Sequence, residues 1–331
     1  MSSLIWINAL IIFGLTLLCG KIGLPIIKRL HLGQTVRSDG PKTHFKKTGT
    51  PTFGGLFFLI PIALSAIILP IINSNWLIYS ITMFLTLAFG LVGFIDDYIK
   101  VRINKEGLSV IQKTIALLIV CILFAVWYLW FSGIDTVLIF TFLEKPILIT
   151  GKWKYLYLVF IVLYLFFMSN AVNITDGVDG LVSTLMTITS VLLGVFLYFA
   201  LSNKIEMPYL IAACLALTAA SLGFLPFNKH PAKVFMGDTG SQALGACFGA
   251  IALIAGIPWI MIPLGLIYIL EAFSTLLQVF YFKATKGKRL FKMAPLHHHY
   301  ELSGWSEKKI VLNYSIFTIV IGILSLLITL L

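Results

Sequence analysis

The stretch Leu77–Lys100 reads LIYSITMFLTLAFGLVGFIDDYIK. Its first part, Leu77 to Ile95, is predominantly apolar and has about the length that an α-helix needs to cross a bilayer. Two adjacent carboxylates, Asp96 and Asp97, follow at once, and Lys100 is close enough along a helix to pair with one of them. Acids at a membrane edge are costly unless positive charge meets them. The stretch therefore predicts a membrane helix that delivers two acids to a polar site, where a metal ion, a basic loop or both supply the positive charge.

The whole chain has the composition of an integral membrane protein. Of its 331 residues, 59% are hydrophobic and only 11% are charged, and the mean hydropathy is +1.00. Soluble globular domains are far more polar. The four cysteines lie far apart inside apolar runs, which predicts buried packing and neither disulfides nor a zinc site. The N-terminus lacks a basic region and a small-residue cleavage site, so we expect its first apolar run to be a retained span.

The apolar runs predict an all-α integral membrane protein, a single polytopic domain over residues 1–331 with about ten transmembrane helices. Between the fourth and fifth spans, Thr136–Phe142 and Pro146–Thr150 are rich in β-formers and predict a small β-hairpin on the external side. The predicted spans are 4–27, 53–72, 76–95, 111–131, 155–172, 181–201, 208–225, 241–257, 259–282 and 310–330.

Lys and Arg predict the orientation. The net charge of +11 is best explained by the positive-inside rule, not by nucleic-acid binding. Nineteen of the 24 basic residues fall in the loops after spans one, three, seven and nine. Those loops, and the one after span five, are therefore expected in the cytoplasm, with both termini outside.

Five polar stretches end apolar runs on this predicted cytoplasmic face. The first, Ser38–Gly55, is a Gly- and Pro-containing loop whose lysines suit phosphate, although they could serve topology alone. The second, Asp96-Asp97, is either a solvated helix cap or a functional pair. As a functional pair, a carboxylate could bind magnesium, act as a general base or attack phosphorus itself.

The third and fourth stretches add more acids. Asn173, Asp176 and Asp179 recur at every third residue, so a helical turn could bring them to one side, although Asx capping explains one of them. In the fourth stretch, Asp238 and Thr239 are placed to cap the next helix. A helix N-terminus is also an anion site, where Asp238 could hold a cation against a phosphate.

The fifth stretch, Lys292–Trp305, contains the consecutive histidines His297–His299. Adjacent residues do not share a helix face and no cysteine lies nearby, so proton transfer or phosphate contact fits better than structural zinc. Within the ninth predicted span, Glu271 and Gln278 are one heptad apart on one face. They are either functional or joined to other helices by hydrogen bonds.

These residues suit phosphoryl transfer between a soluble and a lipid phosphate. Magnesium prefers one or two carboxylates together with substrate phosphates. The chain has no G-x-x-x-x-G-K-[ST] motif, so ATP hydrolysis is not indicated.

In this order and over nearly the full length, the motifs resemble the phospho-N-acetylmuramoyl-pentapeptide transferases, a branch of the polyprenyl-phosphate sugar-1-phosphate transferases. The resemblance implies that undecaprenyl phosphate displaces UMP from UDP-N-acetylmuramoyl-pentapeptide, with Mg²⁺ as cofactor, to form lipid I in a bacterial cytoplasmic membrane. Membrane lipids surround the protein, and a homodimer is an assembly the family allows. The stretches that carry the resemblance are Asp39–Gly55, Asp96-Asp97, Asn170–Leu181, Phe235–Ser241 and Ala294–Trp305.

The resemblance also implies roles for single residues. Asp238 would bind the metal, and Asp96 and Asp97 would activate the lipid phosphate or help to hold the metal. His298 would sit with His297 and His299 beside the sugar phosphate, and Phe235 would stack on uracil. The remaining residues implied to line the nucleotide-sugar site are Lys47, Asn173, Asp176, Gly177, Asp179, Asn228 and Gln278.

Several alternatives stay open at this stage. An aspartate could form an acyl-phosphate first, or the lipid phosphate could attack directly, which we favour because it is largely ionised near neutral pH. The nearest rival is a sibling enzyme that uses UDP-N-acetylglucosamine. A transporter would show repeats and broken helices at the midplane, and a scaffold that only binds lipid phosphate would tolerate Asp238→Asn.

Overall fold

The computed structural model describes residues 2–30, 33, 47, 49–140, 145–201 and 206–330. The basic loop predicted at 38–46, residue 48 and the hairpin residues 141–144 lie outside this part. Within the described residues the fold is all-α apart from one two-stranded sheet. The helices are α1 Ser2–Arg29, α2 Leu56–Ile72, α3 Leu77–Arg102, α4 Val110–Trp130, α5 Trp153–Thr175, α6 Leu181–Leu201, α7 Met207–Asn228, α8 Gly237–Ile254, α9 Met261–Leu264, α10 Leu266–Ala284, α11 Leu296–Glu301 and α12 Glu307–Leu330.

The fold class is confirmed, since eight of the described helices are long and apolar enough to cross a membrane. The other two predicted spans are also helical, as α2 and α8. The α2 helix has only 17 residues, and α8 begins with the polar residues Asp238, Thr239, Ser241 and Gln242. The ninth predicted span, 259–282, is divided into α9 and α10 at Gly265.

The predicted β-hairpin is present. Strands β1 (Val137–Leu138) and β2 (Ile147–Leu148) pair antiparallel. The residue after β1 is hydrogen-bonded to the chain just beyond α8: Ile139 donates its N–H to the carbonyl of Gly256 (2.7 Å). The hairpin therefore lies at the C-terminal end of α8.

The α8 helix is the centre of the bundle. Every residue from Thr239 to Ile254 is buried, and α3, α5 and α7 pack around it. Its many Gly and Ala residues let neighbouring helix backbones approach closely, as is usual between membrane helices. Because α8 has 18 residues, its two ends are about 26 Å apart, with the hairpin at one end and Asp238 at the other.

Candidate active site

Asp97 holds the N-terminus of α8. The Asp97 side chain belongs to α3 and is 1% exposed. Its carboxylate accepts hydrogen bonds from the N–H of Asp238 (3.2 Å), the N–H of Thr239 (2.9 Å) and the Thr239 hydroxyl (2.7 Å). The first N–H groups of a helix have no partner within the helix, and a negative charge complements its dipole. Asp97 therefore fixes where α8 begins and so where Asp238 lies.

The sequence-based prediction that Asp238 and Thr239 cap their own helix is wrong. The N-cap is Met236, with no side-chain cap hydrogen bond. The preceding turn depends on Gly237, which has φ +69°. A Cβ there would lie 2.8 Å from the Thr52 hydroxyl oxygen and against the Asp97 carboxylate, so this close approach requires glycine.

Asp238 lies in a group of charged side chains that we call the acid–lysine centre. The group consists of Asp96, Asp97, Asp176, Asp238, Lys100 and Lys113. One of the Asp238 carboxylate oxygens, Oδ2, binds the ammonium groups of Lys100 (2.7 Å) and Lys113 (2.6 Å). The other, Oδ1, accepts a hydrogen bond from the Asn173 amide (2.8 Å). The side chain remains 17% exposed, so it lies at the surface of the centre and not inside the core.

Asp96 faces the same two lysines. Its Oδ2 lies 2.8 Å from the Lys100 ammonium and 3.2 Å from the Lys113 ammonium, and its Oδ1 accepts the N–H of Leu108 (2.8 Å). The predicted pairing of Lys100 with one acid of the pair is confirmed. The sequence pattern does not mark Lys113, the fourth residue of α4, as a residue of the site.

Asp176 adds negative charge to this centre. It follows the last residue of α5 and is half-buried. Burial raises the pKa of its carboxyl well above the usual range, and the nearby carboxylates of Asp238, Asp97 and Asp179 raise it further, although Lys47 opposes them. Among the described residues, its carboxylate accepts no hydrogen bond that would offset this.

Carboxyl groups outnumber ammonium groups in the centre. Four carboxyl groups, those of Asp96, Asp97, Asp176 and Asp238, lie with two ammonium groups, those of Lys100 and Lys113. Because the fold raises the pKa of Asp176, a cation bound beside this carboxyl would favour its ionised form.

The residues of the third polar stretch lie in two different groups of charged side chains. The helix ends at Thr175, because the chain turns at Gly177 and at Gly180, which has φ +77°. The predicted single helical side for Asn173, Asp176 and Asp179 is therefore wrong. Asn173 faces Asp238, whereas Asp179 belongs to a second group of charges.

We call this group the Lys47 cluster; it consists of Lys47, Asp179, His230 and Glu307. The Lys47 ammonium lies 2.7 Å from a carboxylate oxygen of Asp179 and 2.7 Å from one of Glu307. His230 Nδ1 lies 3.2 Å from Asp179 Oδ2. Burial lowers the pKa of Lys47, but the charges and hydrogen bonds of Glu307 and Asp179 outweigh burial and raise it above the usual value.

The Lys47 cluster is also the group among the described residues in which three metal-binding side chains come within 4.8 Å of one another: Asp179, His230 and Glu307. The Lys47 ammonium already supplies a cation between the two carboxylates. His230 and Glu307 were missed by the sequence analysis. Glu307 in the first turn of α12 reads from sequence as an ordinary acidic helix start.

The three consecutive histidines have three different partners, as expected for neighbours on the short α11. His297 Nδ1 lies 3.1 Å from Glu271 Oε2, and His298 Nδ1 lies 2.7 Å from Glu301 Oε2. His299 Nδ1 accepts the N–H of Lys292 (3.1 Å). This arrangement is not that of a three-histidine metal site.

Two other predicted residues shape the loops of the site. Asn228 is buried; its carbonyl oxygen accepts from the Ser183 hydroxyl (2.8 Å) and its amide donates to the carbonyl of Val234 (3.1 Å). The Gln278 carbonyl oxygen accepts the N–H groups of Leu290 and Phe291 (3.1 and 2.9 Å). Both side chains hold the backbone of a loop.

Phe235 lies in the loop that Asn228 holds. Its N–H donates to the carbonyl of Pro51 and its carbonyl accepts from Gly54 (2.9 Å each). The ring is half-buried. Among the described residues it contacts no other aromatic ring.

The five stretches therefore meet at one end of the bundle. Asp97 touches the fourth, Asn173 joins the third to the fourth, Lys47 joins the first to the third, and His297 lies against Gly177. Fold and site together define a polytopic membrane enzyme with an acid–lysine centre at the end of its helices.

Comparisons with known proteins name the family. Residues 78–256 match the model of glycosyl transferase family 4. A phospho-N-acetylmuramoyl-pentapeptide-transferase of Acetivibrio thermocellus is 44% identical over 94% of this chain and 91% of its own length. Proteins of the same name from Staphylococcus epidermidis and Listeria welshimeri are 41% and 40% identical, over 98% and 91% of this chain and the same shares of their own lengths. The chain belongs to the phospho-N-acetylmuramoyl-pentapeptide-transferase family.

Proposed function

We propose that this protein transfers phospho-N-acetylmuramoyl-pentapeptide from its UDP-linked donor to undecaprenyl phosphate, giving lipid I and UMP for peptidoglycan synthesis. The names of the relatives support the transferred group. The observation that carries the proposal is the convergence of Asp96, Asp176 and Asp238 with two lysines at one end of a membrane bundle. Such a centre can receive a lipid phosphate from the bilayer and a soluble nucleotide from water.

The residues present fit Mg²⁺ in charge and in chemistry. The centre has more carboxyl groups than ammonium groups, Asp176 has no hydrogen-bond donor among the described residues, and carboxylate oxygens are ligands that Mg²⁺ prefers. Because Mg²⁺ completes its coordination with water and substrate phosphates, it does not need three protein ligands. Asp238 and Asp176 would hold the ion, which supplies neutralisation of the pyrophosphate and of the leaving UMP.

The donor would bind across Asp238 and the Lys47 cluster. Lys47 and Asp179 offer a cation and an acceptor at 2.7 Å from each other, and the half-buried Phe235 is the ring that would stack on uracil. Gly177 would permit a close approach of the backbone. His297, His298 and His299 would lie beside the sugar phosphate, and Asn228 and Gln278 hold the loops that would line the site.

Lys100 and Lys113 would orient the acceptor. If the lipid phosphate still carries a proton, the Asp96 carboxylate would accept it. An oxygen of the lipid phosphate attacks the phosphorus that carries the sugar. The bond from this phosphorus to the oxygen of UMP breaks, and UMP leaves with the electron pair. Asp97, which already accepts three hydrogen bonds from α8, positions Asp238 and is poorly placed to act as a nucleophile.

The orientation of the protein follows from its charges. The helices α1, α3, α5, α7 and α10 all end on the side of the acid–lysine centre, where Lys100 and Lys113 also lie. By the positive-inside rule this side faces the cytoplasm, where the nucleotide donor is made available. Both termini then face outward.

The function is tested by UMP release from the purified protein, with and without Mg²⁺ and undecaprenyl phosphate. We expect release only when donor, lipid phosphate and Mg²⁺ are all present. Asp238→Asn, folded to the wild-type level, should lose nearly all activity, whereas Asp135→Asn, an exposed residue beside the hairpin, should keep it. Turnover of UDP-N-acetylglucosamine alone would refute the donor, and a phospho-sugar trapped on Asp96 or Asp97 would refute direct displacement.

A further inference from the structure

Glu271 is an acid buried inside the bundle, well away from the carboxylates of the centre in sequence. It lies on α10 and is 0% exposed. Its Oε1 accepts the Tyr314 hydroxyl of α12 (2.6 Å) and the backbone N–H of His297 (3.1 Å). Its Oε2 lies 3.1 Å from His297 Nδ1. The carboxylate therefore holds both the backbone and the ring of one residue of α11.

These contacts determine which nitrogen of His297 carries a proton. An ionised carboxylate can only accept hydrogen bonds, so the ring nitrogen that faces it must be a donor. The proton at Nδ1 is thus assigned from its partner, as is usual for histidine. It stays at Nδ1 whether the ring is neutral or protonated. The Tyr314 hydroxyl and the His297 backbone N–H complete the shell of the buried carboxylate, whose desolvation would otherwise be costly.

The opposite nitrogen of His297 has no partner. Nε2 is buried and makes no hydrogen bond within the described part of the chain. It lies directly against Gly177, where the addition of a Cβ would collide with it. Gly177 follows Asp176, so this unpaired polar atom is aimed at the edge of the acid–lysine centre. A buried polar atom without a partner is costly, and a catalytic role is one of the explanations for such an atom.

We propose that Glu271, assisted by Tyr314, is a positioning residue of the transfer site: it fixes the ring of His297 so that Nε2 meets the donor substrate beside Gly177. This inference rests on the proposed function of the site. The simpler alternative is that Glu271 only joins α10, α11 and α12. Both hypotheses make Glu271 important for the fold. Only the positioning role requires that the effect of Glu271 on activity depends on His297.

The test is a double-mutant cycle in the purified full-length protein. Glu271→Gln keeps an oxygen that can accept from Nδ1–H but removes the charge. We expect it to lower kcat/KM for the UDP-linked donor about 10- to 100-fold, which is the range for lost partners of functional histidines. The KM for undecaprenyl phosphate should stay within about two-fold. Tyr314→Phe should give a smaller loss of the same kind.

The decisive result comes from the His297→Ala background. There, Glu271→Gln should change kcat/KM by less than about three-fold, because two residues that act through one contact are not additive. Independent, multiplying losses would overturn the proposal. The control is Ser274→Ala on the same helix, since the Ser274 hydroxyl bonds only the Glu271 backbone carbonyl (2.7 Å); it should leave kcat/KM unchanged.

A readout without turnover separates this inference from the proposed function. In ¹⁵N-histidine NMR spectra the His297 signal, identified by its loss in His297→Ala, should report a proton at Nδ1 in wild type. That proton should be redistributed in Glu271→Ala. A wild-type His297 protonated only at Nε2 would overturn the positioning role even if turnover is normal. An inactive wild type with the Nδ1 proton in place would count against the proposed function alone.

Discussion

The two adjacent carboxylates at the end of α3 have different surroundings. Asp96 binds the ammonium groups of Lys100 and Lys113, whereas Asp97 accepts hydrogen bonds from the first turn of α8. On a helix, neighbouring residues point about 100° apart, so one acid can serve the site and the other the scaffold. The sequence could not assign these two roles, because it does not show which helix packs against which side of α3.

Removal of the Asp97 carboxylate should destabilise the protein. In Asp97→Ala, the N–H groups of Asp238 and Thr239 lose their acceptor, which should lower the free energy of unfolding by about 3 kcal/mol. Thr239→Val, which removes only a hydroxyl donor to the same carboxylate, should cost about 1 kcal/mol. Thermal unfolding of the purified protein measures both. Equal stability of Asp97→Ala and wild type would contradict the capping role.

Asp176→Asn should separate stability from activity. The fold raises the pKa of Asp176, so ionisation of this carboxyl is unfavourable in the folded protein, and Asp176→Asn should keep or raise the melting temperature in thermal unfolding. Functional sites often carry such a stability cost. UMP release should nevertheless fall at least ten-fold.

Addition of Mg²⁺ should also distinguish Asp176→Asn from wild type. Added Mg²⁺ should raise the melting temperature of wild type, because a ligand that binds only the folded state stabilises it, and this rise should be much smaller in Asp176→Asn. An equal rise in both proteins would mean that Asp176 does not help to hold the ion.

At the scale of elements, α12 is joined to the site through its first residue. Glu307 accepts the N–H of Asp179 (2.9 Å) and the Lys47 ammonium (2.7 Å). This contact joins α12 to the turn after α5 and to Lys47, which lies between α1 and α2. Its long sequence separation explains why no local pattern could reveal it.

Glu307→Gln should loosen this junction. The amide can accept one hydrogen bond but no longer neutralises Lys47, so we expect a loss of about 2 kcal/mol in the free energy of unfolding. The KM for the UDP-linked donor should rise several-fold, because Lys47 and Asp179 lose their fixed geometry. Lys308→Gln, the adjacent residue, should change neither quantity, as measured by thermal unfolding and UMP release. A wild-type KM in Glu307→Gln would show that Glu307 of α12 does not contribute to donor binding.

At the scale of the whole molecule, the hairpin and the acid–lysine centre lie at opposite ends of α8. The hairpin is bonded to Gly256 beyond its C-terminus, and Asp238 is in its first turn. Lys100 and Lys113 lie at the Asp238 end, and Lys145 lies beside the hairpin. The positive-inside rule therefore predicts that the Asp238 end faces the cytoplasm.

Labelling from the two sides of a membrane should show this polarity. Lys145→Cys beside the hairpin and Lys288→Cys after α10 are both exposed positions. A membrane-impermeant maleimide should label Lys288→Cys only from the cytoplasmic side and Lys145→Cys only from the outer side. Wild type is the control, because three of its cysteines are buried and Cys19 is half-buried within α1. Labelling of both variants from the same side would contradict the topology.

The sequence by itself determined the membrane class, the helices, the hairpin and the five polar stretches, because hydrophobic length, charge and turn residues act locally along the chain. Only the tertiary structure decided that Asp97 caps α8, that Asp179 contacts Lys47 and Glu307 and not the acid–lysine centre, and that Glu271 contacts His297. Each of these contacts joins residues from different helices. Their geometry depends on how the helices pack, which no local pattern of residues specifies.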